Sequence, residues 1–253
     1  IRPDGVLLVT RGGKTWHALV EAKTAGNTLD SKQIEAYLDL AREQGFEAVV
    51  SISNDYVTSS SSYPIEIDRR KQKRVALHHW SWIDLLTVAI VQKEHRGIGD
   101  PDQAYILGEL IRYLSDERSG AVAFRGMGSH WVTVRDGARE HTLRKTDPAV
   151  SSVATRWDDL IRYLALKLTG ELGSPVRPAL PPSERTPAGR RQVLAASLVN
   201  EGRLNAEVTI PNTVGPVRIT ADLRTRQIVV STEVDAPRQG TPRGQVSWLL
   251  RQL

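Results

Sequence analysis

Two apolar runs near the start of the chain, Val6–Thr10 and Trp16–Ala22, are separated by Arg11-Gly12-Gly13-Lys14-Thr15. Runs of this length bounded by Gly-Gly read as a β-hairpin, because a two-residue turn is a favoured connection there. With Gly12-Gly13 in the turn, Arg11 faces Lys14 and Thr10 faces Thr15, so the numbers of paired residues sum to 25. Asp4 then lies directly opposite Glu21. A four-residue loop from Arg11 to Lys14 keeps that pair, whereas a three-residue loop or a bulge breaks it. Directly opposed residues share a face, with Cβ atoms about 4.5–5.5 Å apart. Lys23, two residues beyond Glu21, lies on the same face, since strand side chains alternate. Asp4, Glu21 and Lys23 therefore converge on one spot.

Facing carboxylates repel, and a lone buried charge is costly or shifts its pKa. A divalent cation between them removes the repulsion. A lysine alone removes part of it, as a structural ion-pair cluster. The apolar residues on both faces of these runs argue against a surface hairpin with solvated charges.

The next segment, "DSKQIEAYLDLAREQG", places Ile34, Tyr37, Leu38 and Ala41 at i, i+3, i+4 and i+7, one face of a helix. Asp30 or Ser31 caps its start and Gly45 its end. "AVVSIS" (Ala48–Ser53) follows as a third strand. The order strand, strand, helix, strand predicts an α/β fold: a mixed central sheet flanked by helices.

Pro3-Asp4, sixteen intervening residues and then Glu21-Ala22-Lys23 resemble the signature of the PD-(D/E)XK nuclease superfamily. Gln33 and Tyr37, in "QIEAY", resemble the Q-x-x-x-Y extension of its RecB-like and lambda-exonuclease-like branches, on the helix after the lysine strand. The resemblance covers roughly residues 1–56. It implies a restriction-endonuclease-like core, with Asp4 and Glu21 binding Mg²⁺ or Mn²⁺ together with the backbone carbonyl of Ala22. It also implies that Lys23 orients or helps deprotonate the attacking water, and that Gln33 and Tyr37 contact substrate. The residues leave a second reading open for these two: Gln33 stands at capping-box spacing from Asp30, and Tyr37 belongs to the apolar stripe. The implied activity is metal-dependent hydrolysis of phosphodiester bonds, in DNA ahead of RNA, in a prokaryotic restriction, repair or defence setting. The alternative is a non-catalytic DNA-binding or protein-assembly module on a nuclease scaffold.

With no cysteine among 253 residues, disulfides, thiol nucleophiles and Cys-ligated metals are excluded, so a metal here is a hard ion. No apolar window is long enough for a membrane span and no signal-peptide pattern is present, which points to the cytoplasm. Ile1 in place of Met points to a piece of a longer protein. Oligomeric state is not legible. Residues 1–173 hold 23 Lys and Arg against 23 Asp and Glu, while residues 174–253 hold 11 against 6, all of the 11 being Arg. Arg forks suit phosphate.

Further along, "SWIDLLTVAIVQK", "DQAYILGELIRYLSDE" and "AVSSVATRWDDLIRYLALKLTGEL" have helical period. They complete or flank a nuclease-like domain over residues 1–173. Residues 174–189 read as a Pro-rich linker, and residues 190–253 as a small Arg-rich α+β module of a helix, three strands and a closing helix. "NDYVTSSSSYP" reads as a loop, with Asn54 at the rim of the site, and "RRKQKR" (Arg69–Arg74) as a solvated basic face. Trp80, Trp82, Trp131, Trp157 and Trp248 read as core, and the adjacent His78 and His79 as structural.

Overall fold

The computed structural model describes residues 2–24, 27–56, 63–68, 70–121, 124, 126–235 and 240–251. The middle of the loop after Asn54 and Arg69 of the basic run lie outside the described residues. The hairpin forms as the Gly-Gly turn requires. Strand β1 (Gly5–Arg11) pairs antiparallel with β2 (Lys14–Ala22), from Gly5↔Val20 to Arg11↔Lys14. Gly12 and Gly13 carry φ of +57° and +76°, the left-handed values of a turn that matches strand twist.

Helix α1 (Ser31–Glu43) starts on Asp30, whose Oδ1 accepts from the Gln33 backbone N–H at 3.0 Å. The stripe Ile34, Tyr37, Leu38 and Ala41 is fully buried, in one apolar cluster with Leu19 of β2 and Val49 of the next strand. That strand, β3 (Ala48–Ser53), runs parallel to β2, and β4 (Ala76–Ser81) runs parallel to β3. The first sheet therefore has the order β1-β2-β3-β4, one antiparallel and two parallel pairings. On its other face Ala18, Ala48 and Val50 cluster with Leu7, Trp16 and Ile52.

Helix α2 (Trp82–Ile90) leaves β4 directly, because Ser81 and Asp84 form a reciprocal capping box. A π-helical turn (Val91–Arg96) extends it, and α3 (Pro101–Ser115), α4 (Trp131–Glu140) and α5 (Pro148–Leu172) follow. The periodicity anticipated α2, α3 and α5, but not α4. Then come β5 (Arg177–Pro178), α6 (Pro187–Glu201), β6 (Arg203–Thr209), β7 (Val217–Asp222), β8 (Gln227–Thr232) and α7 (Pro242–Leu250). Strands β5 to β8 make a second, antiparallel sheet in sequence order.

The second core joins Val150, Val153, Trp157 and Ile161 of α5 to Leu194 and Leu198 of α6 and Leu204, Ala206 and Val208 of β6. Val176, in the Pro-rich stretch read as a linker, is buried in the same core, and β5 pairs there with β6. Pro178 is tolerated because β5 is an edge strand, where a missing N–H breaks no ladder bond. Among the tryptophans, Trp157 is core, whereas Trp80 is 38% exposed. Its neighbours in β4 alternate between exposed and half-buried, so strand alternation turns that ring outward.

Candidate functional site

Continuing the β1–β2 register one step beyond Gly5↔Val20 sets Asp4 opposite Glu21. The contact is made through backbone: Asp4 Oδ2 accepts from the Ala22 N–H at 2.8 Å. Asp4 is exposed, whereas Glu21 is only 2% exposed. Glu21 Oε1 accepts from Lys23 Nζ at 2.5 Å. Its second oxygen, Oε2, is buried and has no hydrogen-bond partner, and no other buried side-chain nitrogen or oxygen among the described residues shares that condition. An unmet buried acceptor of this kind calls for an explanation such as a bound ion.

The Lys23 ammonium is held above its ordinary pKa, first by its bond to Glu21, against burial, and then by the charges of Glu21 and Asp4. It stays protonated across the neutral range. Its carbonyl accepts from the Trp82 indole N–H at 2.8 Å, so α2 fixes the end of the lysine segment. From α1, Tyr37 Oη donates to the Arg2 carbonyl at 2.9 Å and accepts from Gln33 Nε2 at 3.0 Å. Burial raises the Tyr37 pKa, against the Gln33 bond, and the adjoining Glu21 carboxylate, which meets the phenol while the single hydroxyl proton goes to the Arg2 carbonyl, raises it further together with the Asp4 charge. Asp4, Glu21, Ala22, Lys23, Gln33 and Tyr37 thus gather at one end of the sheet. Gln33 and Tyr37 also serve local structure here, at the helix cap and in the core.

Sequence reasoning missed the polar row beside Glu21. Glu21 pairs with Ser51 of β3, and Ser51 with His79 of β4, all on one face. Tyr63 Oη donates to Ser51 Oγ at 2.6 Å, Ser51 Oγ lies 2.8 Å from His79 Nδ1, and His79 Nε2 lies 3.1 Å from the Asp55 carbonyl. A carbonyl only accepts, so Nε2 carries the proton and Nδ1 accepts from Ser51. Burial lowers the His79 pKa, against its bond to Asp55, which keeps the ring neutral. The signal was Ser51, the interior serine of "AVVSIS", at the level of the buried glutamate. Asn54 donates its amide to the carbonyls of Gly120 and Ala121.

Among the described residues, no three His, Asp or Glu side chains cluster closely enough to hold one ion. A cation at the hairpin would rest on two carboxylates and the Ala22 carbonyl, a donor set suited to Mg²⁺. That ion keeps several waters and needs only one or two carboxylates plus substrate oxygens. The unmet Glu21 oxygen is consistent with such a role.

The basic surplus of the last third is partly consumed internally. Arg190 is buried, bonded to Asp158, Glu184 and the Asn205 carbonyl. Arg203 pairs with Asp222, and Arg218 with Glu207 and Glu233. In the basic run, Lys71 is paired to Asp39 of α1 at 2.6 Å.

The fold and site define an α/β protein with a mixed four-stranded sheet, flanking helices and a second antiparallel sheet. Compared with known proteins, the chain matches no protein-family model, no curated protein and no solved structure. No helix among the described residues is long and apolar enough to cross a membrane.

Proposed function

We propose that this protein is a metal-dependent nuclease of the PD-(D/E)XK type, with a restriction-endonuclease-like core, hydrolysing phosphodiester bonds in DNA ahead of RNA. The observation that carries the reading is the buried, unpartnered oxygen of Glu21, one residue from the Ala22 N–H that Asp4 accepts and beside the Lys23 ammonium. Asp4, Glu21 and the Ala22 carbonyl would hold Mg²⁺ or Mn²⁺. Such an ion, when bound, lowers the pKa of a coordinated water and neutralises charge on the phosphoryl group. Lys23 orients the attacking water and, staying protonated, stabilises negative charge at the phosphate. Tyr37 and Gln33 brace the Arg2 carbonyl, two residues before Asp4, and so position that carboxylate. A cytoplasmic setting in restriction, repair or defence fits this activity.

A non-catalytic DNA-binding or assembly module is the second reading. One observation favours it: Lys23 is already bonded to Glu21, as in a structural ion pair. Cleavage of single- and double-stranded DNA, in Mg²⁺ or Mn²⁺ against EDTA, separates the two. Metal-dependent cleavage that falls at least about 100-fold in Lys23→Ala is expected, the scale of a positioned proton-handling group. Absence of cleavage by folded parent protein, on DNA and RNA, would leave the scaffold reading standing.

A further inference from the structure

A cavity of about 500 Å³ opens between α4, α5 and the β7–β8 turn, within the size range of small-ligand sites. Its floor includes Trp131, Trp157 and Leu160. Trp157 is buried, its indole N–H donating to the Asn205 carbonyl at 3.3 Å, so it backs the cavity and leaves Trp131 as the accessible indole. Trp131 is half-buried.

The charged part of the wall comes from Arg135, Arg139 and Arg226, set among apolar Met127, Leu223 and Ile228. Asp136 sits 2.9 Å from Arg135 and 3.9 Å from Arg139, one carboxylate shared between two guanidinia. Asp222, also in the wall, is occupied by Arg203 and by the backbone N–H groups of Arg224 and Thr225. Arg226 forms no hydrogen bond or ion pair among the described residues, although Asp136 feels its charge. Its backbone is held at φ +58°, a region that favours glycine or asparagine. The turn is tied to α4 by Arg224, which donates to the Ala138 carbonyl at 3.2 Å. An arginine thus occupies a strained turn position beside an aromatic floor.

We propose that this cavity binds a nucleotide, its base stacked on the Trp131 indole and its phosphate taken by the guanidinium rim. Indole rings stack on any base, and Arg forks match phosphate oxygens. An apolar ligand would leave the cationic rim unused, and free phosphate would leave the floor unused. The inference stands independently of the hairpin site.

Isothermal titration with AMP, adenosine, inorganic phosphate, and an oligonucleotide with and without a 5′-phosphate tests it. AMP should bind at least about tenfold more tightly than adenosine or phosphate. Arg226→Asn, which suits the left-handed backbone, and Trp131→Leu should each weaken AMP at least about tenfold. Preference for the 5′-phosphorylated oligonucleotide over AMP would identify a strand end as the source of the nucleotide, and the reverse a free nucleotide. Failure of the parent to bind either, or affinity unchanged in Arg226→Asn, overturns the proposal. If Trp131→Leu does not fold, Arg226→Asn decides alone. Glu21→Met should leave AMP affinity unchanged, and a tenfold loss there would place the nucleotide at the hairpin and overturn the assignment.

Discussion

Replacing Glu21 by Met separates a metal ligand from a structural ion pair. Removing one partner of a buried pair ordinarily costs about 3–5 kcal/mol, because the survivor is left uncompensated. Here the survivor, Lys23, keeps 22% of its side chain exposed and can be solvated. The charge-assisted bond that is lost contributes about 1.5–3 kcal/mol, while the unmet Glu21 oxygen, also removed, costs about 1–3 kcal/mol. These nearly cancel, so in EDTA the Glu21→Met protein should unfold within about 1 kcal/mol of the parent. In Mn²⁺ the two should diverge. An ion that binds only the folded parent adds about 2.7 kcal/mol at 100 times its Kd, and the variant gains nothing. Urea denaturation followed by tryptophan fluorescence, with and without Mn²⁺, reads both quantities, and equal m-values show that the same transition is compared. A loss of 3 kcal/mol or more in EDTA, with no effect of Mn²⁺ on the parent, refutes the reasoning and makes Glu21–Lys23 a structural pair.

Burial, partly offset by Arg156, raises the Asp159 carboxyl from 3.8 to about 6. The folded state therefore binds more protons than the unfolded state across that window, and stability falls as pH rises through it. Asp159→Asn should remove the fall and gain on the parent by up to roughly 3 kcal/mol between pH 4 and 7. Parallel stability-versus-pH curves would contradict this. Asp158→Ala strips the buried Arg190 of one carboxylate and should cost about 3–5 kcal/mol in urea denaturation; a cost under 1 kcal/mol would show that Glu184 alone compensates the charge. At Gly12, with φ +57° and open space around an added Cβ, asparagine should raise stability by about 0.5 kcal/mol through the unfolded state. Destabilisation measured by thermal melting would show that the turn needs glycine itself.

The hairpin register was legible because Gly-Gly fixes the turn, and a period of two then carries the pairing out to Asp4 and Glu21. The α1 stripe was legible for a similar reason, since helical period alone sets which side chains face the sheet. The neighbours of Glu21 were not. Ser51, His79 and Tyr63 come from strands and a loop 28 or fewer residues from one another, and only the parallel pairing of β2, β3 and β4 sets them in a row. The Pro-rich stretch shows the converse. Its composition reads as a linker, yet Val176 is buried and β5 is paired, because an edge strand tolerates proline and a core takes any apolar side chain that reaches it. Local chemistry, then, set the turn, the caps and the convergence of Asp4, Glu21 and Lys23 through spacing along one hairpin. Burial was decided only in three dimensions. Helix α1 closes over the sheet face, and that closure takes Glu21 out of water and leaves one of its oxygens without a partner.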